Sequence, residues 1–87
     1  MGQMPKILIL RLRMVPYLDA TGTTAMINMI KQCQAHGTKI ILSGVQPQPQ
    51  KILHKGHIEH GKNGVFFCAD YKSSLALAEE LLQSPNN

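Results

Sequence analysis

Ile7-Leu8-Ile9-Leu10 is a continuous apolar run that passes into the alternating stretch Arg11-Leu12-Arg13-Met14. An uninterrupted run of this kind is typical of a strand that is covered on both faces, as in a parallel sheet. A second stretch with the same apolar centre follows at Thr38-Lys39-Ile40-Ile41-Leu42-Ser43-Gly44-Val45. These two stretches predict neighbouring strands, and the spacing between them leaves room for a crossover helix.

The helix between the two strands is predicted at residues 23–36, after a short polar turn at Ala20-Thr21-Gly22. Its apolar stripe has the helical spacing i, i+3, i+4 and i+7 and consists of Met26, Met29, Ile30 and Cys33. Gly37 stands where a helix commonly ends.

The remaining chain repeats the alternation of strand and helix. A short helix is predicted from Gln50 to Lys55, a third strand at Val65-Phe66-Phe67-Cys68, and a last helix capped by Asp70. The apolar face of that last helix consists of Leu75, Ala78, Leu81 and Leu82. We therefore predict an α/β fold with a mainly parallel sheet flanked by helices, and burial of Met26, Met29, Ile30, Cys33, Leu75, Ala78 and Leu81 against the strands.

Residues 1–87 are expected to form one domain, since no linker or low-complexity tract divides them. Three parallel strands need cover on both faces, and about 87 residues bury only a modest core. We therefore expect further strands before the chain, or a second copy that covers the exposed edge as a homodimer. Met1-Gly2-Gln3-Met4 looks like a start introduced by cloning.

Charge and cysteine content narrow the functional classes. Nine Lys and Arg stand against five acidic residues and are scattered along the chain, whereas a nucleic-acid binder usually shows a clustered basic stripe. We expect no nucleic-acid partner. Cys33 and Cys68 are too few for a disulfide scaffold and are interpreted as buried free thiols of a reducing compartment. The longest apolar runs fall far short of the about 20 residues of a membrane span.

Two short motifs carry a family resemblance. They are Val15-Pro16-Tyr17-Leu18-Asp19-Ala20-Thr21-Gly22 and Ile41-Leu42-Ser43-Gly44-Val45-Gln46-Pro47-Gln48. Together with Ile7–Leu12, they resemble the STAS domain at the cytoplasmic C-terminus of sulfate-permease-like (SulP) anion transporters, a fold shared with bacterial anti-sigma-factor antagonists. The resemblance runs from about Pro5 to Leu82, and the first strands and helix of the family appear to be missing.

The resemblance implies a non-catalytic regulatory domain on the cytoplasmic side of the inner membrane. Its expected partner is the transmembrane domain of the parent transporter, and some members also bind a regulatory protein or a nucleotide. The alternative is a stand-alone scaffold of the anti-sigma-antagonist type. Ala20 occupies the position of the phosphorylatable Ser of that branch, so its phosphorylation switch cannot operate there.

The turn that precedes the first helix is the best candidate for an anion, nucleotide or partner site. Free N–H groups at a helix N-terminus attract an anion, and the candidate residues are Asp19, Thr21, Gly22, Thr23 and Thr24. The other interpretation is that the threonines and Asp19 only cap the helix and turn the chain.

Neither a metal site nor an enzyme active site is predicted, and no cofactor is expected. His54, His57 and His60 are evenly spaced, but Gly56 and Gly61 argue against one helix that would align them. Cys33 and His36 lie at helical spacing without a nearby carboxylate to orient a base.

Overall fold

A computed structural model describes residues 5–83, so the interpretation of the first four residues lies outside the described part of the chain. Within it, strands and helices alternate as β1 Ile7–Arg11, α1 Ala20–Ala35, β2 Lys39–Ser43, α2 Pro47–Lys55, β3 Val65–Cys68 and α3 Tyr71–Leu82. The strands form one parallel sheet in the order β1-β2-β3. The predicted α/β alternation is confirmed.

Two helices begin earlier than the sequence patterns predicted. The segment Ala20–Gly22, expected as a turn, is the first turn of α1, because the side chain of Asp19 caps the helix one residue before it. Helix α2 begins at Pro47 rather than at Gln50. Proline suits the first position of a helix, since its ring fixes a helical φ and no N–H is left unpaired.

The main core lies between the sheet and helices α1 and α2. Side chains from all three strands point to this face, and they are Leu8, Leu10, Ile40, Leu42, Val65 and Phe67. From α1, Ile30 and Cys33 are buried, while Met26 and Met29 are half-buried and pack against the same cluster. The helical stripe predicted for α1 therefore faces the core.

Helix α3 covers the opposite face of the sheet. It packs against all three strands, and Ile41, which alternates in direction with Ile40 and Leu42, is fully buried. Ala78 and Leu81 are half-buried. The prediction that Leu75 is buried is wrong, because its side chain is 46% exposed. The apolar surface of α3 is wider than the part of the helix that the three strands cover.

The two edges of the sheet differ. At β3, Val65 accepts from the N–H of Gly61 at 2.6 Å and donates to the carbonyl of Lys62 at 3.1 Å, and the N–H of Phe67 donates to Nδ1 of His60 at 2.9 Å. At β1, Lys6 and Leu12 bond towards β2, so by alternation the backbone groups of Ile7, Ile9 and Arg11 face outward. In residues 5–83 they have no backbone partner.

We expect the isolated chain to self-associate, because a bare strand edge offers its backbone groups for pairing. Light scattering over a concentration series should show a mass that rises above that of one chain. A monodisperse monomer at high concentration with a cooperative melt would contradict this prediction. It would show that three strands and three helices are sufficient alone.

Candidate functional site

At the turn before α1, a side chain of the turn itself caps the helix. Oδ1 of Asp19 accepts from the N–H of Gly22 at 2.7 Å, and the carbonyl of Asp19 accepts from Thr23 at 2.8 Å. Thr21 and Thr24 are exposed and Thr23 is half-buried, and none of their hydroxyls bonds to another described residue. The cap belongs to Asp19 rather than to the threonines, and its carboxylate lies where an anion would approach. Anion binding at this turn remains a prediction.

Replacing Asp19 by Ala should lower the free energy of unfolding by about 0.5–2 kcal/mol, since the N–H of Gly22 loses its acceptor. Chemical denaturation measures this difference. Thr24→Ala is the matched control, because its exposed hydroxyl bonds nothing in the described chain. Equal losses for both variants would show that the threonine hydroxyls share the capping.

Two glutamines of the second motif hold the loop between β1 and α1, and one of them bonds to the first motif. Gln48 accepts from the N–H of Leu18 at 2.8 Å and donates to its carbonyl at 3.2 Å. Gln46 donates to the carbonyl of Arg13 at 2.6 Å. Both ends of the loop between β1 and α1 are thereby held by the segment that follows β2, so these glutamines position the loop.

A cleft of about 750 Å³ opens at the carboxyl ends of the three strands, where ligands of open parallel sheets commonly bind. The end of each strand and the segment after it line the cleft, together with Gln50 of α2: Arg11 and Arg13 at β1, Ser43 to Gln46 at β2, and Phe67 to Tyr71 at β3. The backbone turns sharply after β2 at Gly44, whose φ of +68° lies in the left-handed region that favours glycine. A Cβ there would lie 3.3 Å from Cβ of Arg13.

Three register partners form a row across the sheet at the floor of this cleft. Arg11 pairs with Ser43, and Ser43 pairs with Cys68, so the three side chains point to the α3 face. Ser43 is only 3% exposed, and its hydroxyl bonds to no residue within 5–83. Cζ of Arg11 lies 4.3 Å from the centre of the Tyr71 ring, a cation–π contact that orients the guanidinium.

One carboxylate borders the cleft, and it is satisfied by its own helix. Oδ1 of Asp70 accepts from the N–H of Ser73 at 2.8 Å and from its hydroxyl at 2.5 Å. These hydrogen bonds from Ser73 hold the pKa of Asp70 below its ordinary value. The lining contains two arginines, Arg11 and Arg13, and one acidic residue, so the cleft carries a net positive charge.

The histidines do not converge. Nδ1 of His60 is engaged by the N–H of Phe67, whereas Nδ1 of His54 faces Oε2 of Glu59 at 3.7 Å. The same carboxylate lies 3.1 Å from Nζ of Lys62, and the hydrogen bond from Lys62 lowers the pKa of Glu59. Residues 5–83 contain no group of three side chains that could hold a metal ion.

The cysteines lie in different surroundings. Cys33 is 2% exposed in the main core, and Cys68 is half-buried beside the cleft. Both are free thiols, as predicted, although full burial holds for Cys33 alone.

Sequence patterns missed the cleft at the carboxyl ends of the strands. The available signal was that Arg11, Ser43 and Cys68 each end a strand of a parallel sheet, and such ends meet at one edge.

An open parallel sheet with helices on both faces and a cleft at its carboxyl edge defines a small α/β domain. The model of the STAS domain family matches residues 2–65, and the chain belongs to this family. It is 34% identical over 64 residues to YvdB of Bacillus subtilis (strain 168), a protein named as a sulfate transporter. That match covers 71% of this chain and 12% of the length of YvdB.

A solved structure shows the same fold. The crystal structure of a sulfate transporter family protein from Wolinella succinogenes superposes with a TM-score of 0.79 at 35% identity. The match covers 97% of this chain and 69% of that chain. The chain is therefore a STAS domain related to those of sulfate transporters, a transporter-associated family rather than an enzyme family.

Proposed function

We propose that this chain is a cytoplasmic regulatory domain of a sulfate or related anion transporter. It acts through protein contacts with the membrane domain of that transporter. The likeness to YvdB supports this proposal, because 88% of the length of that relative (100 − 12) lies outside the match. In the described residues no helix has the length and apolar character to cross a bilayer.

Helix α3 offers the contact surface. Tyr71, Leu75 and Leu82 are 41%, 46% and 58% exposed, and their spacing of i, i+4 and i+11 puts them on one side of the helix. They lie beside the face that packs on the sheet, so they form an apolar stripe at the surface. Exposed apolar stripes of this kind mark sites of protein interaction. The occupant that we propose is the membrane domain of the transporter.

A chimera tests the proposal. The matched region of YvdB is replaced by the full chain, and sulfate uptake is measured in cells that depend on it. We expect uptake with the unmodified chain and its loss with Leu75→Asp or Leu82→Asp. Ala76→Asp is the control, because this exposed residue adds the same charge to α3 outside the stripe.

Circular dichroism of the purified variants separates loss of contact from loss of folding. A chimera that transports no more than a transporter without the domain would contradict the proposed function. Equal uptake by Leu75→Asp, Leu82→Asp and Ala76→Asp would contradict the assignment to α3.

A further inference from the structure

We infer that the carboxyl-edge cleft binds an oxyanion: a sulfate, phosphate or carboxylate group, free or carried by a small organic molecule. This inference does not depend on transport. It assigns the ligand to the row formed by Arg11 and Ser43, and not to the turn before α1.

The first argument is an unpaired hydroxyl on a buried residue that lines the cleft. Ser43 is 97% buried (100 − 3) and lines the cleft, yet its hydroxyl has no partner among residues 5–83. In residues 5–83 no side-chain oxygen or nitrogen is both inaccessible to solvent and unpaired, so this hydroxyl reaches the surface of the cleft and is free to donate. A ligand oxygen in the cleft would supply its partner.

The second argument is the charge around that hydroxyl. Arg11 is the register neighbour of Ser43 on the same face, and its guanidinium is oriented by Tyr71. A guanidinium recognises oxyanions through two parallel N–H donors. Arg13 adds a second positive charge at the rim. These are donors only, which suits an acceptor-only ligand.

The third argument is the start of α3, which borders the same cleft. Asp70 caps Ser73 and Ser74, and this leaves the N–H groups of Tyr71 and Lys72 without an acceptor in the described chain. Free N–H groups at a helix N-terminus favour an anion. At the turn before α1, in contrast, the threonines are exposed or half-buried, and no unpaired hydroxyl of a buried residue accompanies the cap.

The size of the cleft sets the class of ligand. About 750 Å³ lies within the range of small-molecule sites and exceeds the volume of an inorganic ion. Val45 and Phe67 give part of the wall an apolar character. The head group would lie at Arg11 and Ser43, and an organic body would lie against these side chains.

NMR titration of the full ¹⁵N-labelled chain tests the inference. The probes are sodium sulfate, sodium phosphate, sodium acetate and phenyl phosphate at constant ionic strength, with sodium chloride and phenol as references. We expect saturable shifts at Ser43, Gly44, Tyr71 and Lys72. Tighter binding of phenyl phosphate than of phosphate would identify an organic ligand, and equal binding a free ion.

Arg11→Gln and Ser43→Ala should each weaken binding by about tenfold or more, as expected for hydrogen bonds to a charged group. Asp70→Asn should tighten it, because the cap is kept while the negative charge is lost. Lys31→Gln, which removes an exposed cation on α1, should have no effect. The amide spectra report whether each variant is folded, and Arg11→Lys replaces Arg11→Gln if that variant is not.

Three results would overturn the inference. They are the absence of saturable shifts with every oxyanion probe, unchanged binding by folded Arg11 and Ser43 variants, and shifts confined to Asp19–Thr24. None of them bears on sulfate uptake by the chimera, so this inference and the proposed function can fail separately.

Discussion

Replacing Ile30 by Ala is expected to lower the free energy of unfolding by about 2–5 kcal/mol. Ile30 is fully buried in the cluster between the sheet and α1 and α2. The smaller side chain loses the burial of three carbons and leaves a cavity that rigid strands cannot fill. Denaturation monitored by circular dichroism gives the difference between the two proteins.

Leu75→Ala is the control for this prediction. Both residues were placed on the core side by the same helical periodicity, but Leu75 is 46% exposed. Its removal should change the free energy of unfolding by less than about 1 kcal/mol, as is usual for surface positions. Similar losses for Ile30→Ala and Leu75→Ala would mean that α3 packs more deeply than the exposure of Leu75 indicates.

Gln48→Leu is expected to cost about 1–3 kcal/mol, because it leaves both backbone groups of Leu18 without their partner. Leu18 is 9% exposed, so water replaces these bonds poorly. The loop before α1 should loosen, and hydrogen exchange at the amide of Leu18 should accelerate in the variant.

Gln50→Leu is the matched control, since it makes the same change on an exposed side of α2. Exchange at Leu18 should be unaffected by it. Unaltered exchange in Gln48→Leu would show that the loop is held by the packing of Leu18 alone. The glutamine of the second motif would then have another role.

The two motifs that carry the family resemblance meet in the folded chain. Asp19 caps α1 from the first motif, while Gln46 and Gln48 of the second hold the loop that leads to it. Sequence comparison registers the two motifs as separate signals. In the folded chain they are one structural unit, because Gln48 bonds to both backbone groups of Leu18, 30 positions away.

The sequence by itself determined the order of elements, the parallel sheet and the core side of α1. These properties follow from local periodicity, caps and turn residues, which act over a few neighbours. The bounds of β3 and the cap at Asp70 were also predicted correctly, because Val65–Cys68 and Asp70 are local signals.

Only the tertiary structure decided which apolar residues of α3 are covered and which groups meet in the cleft. Burial of Leu75 depends on how far three strands extend beneath the helix. The juxtaposition of Arg11, Ser43 and Tyr71 depends on strand register and on the crossing of α3 above the sheet. Both are long-range properties, and helical or strand periodicity contains no information about the partner surface.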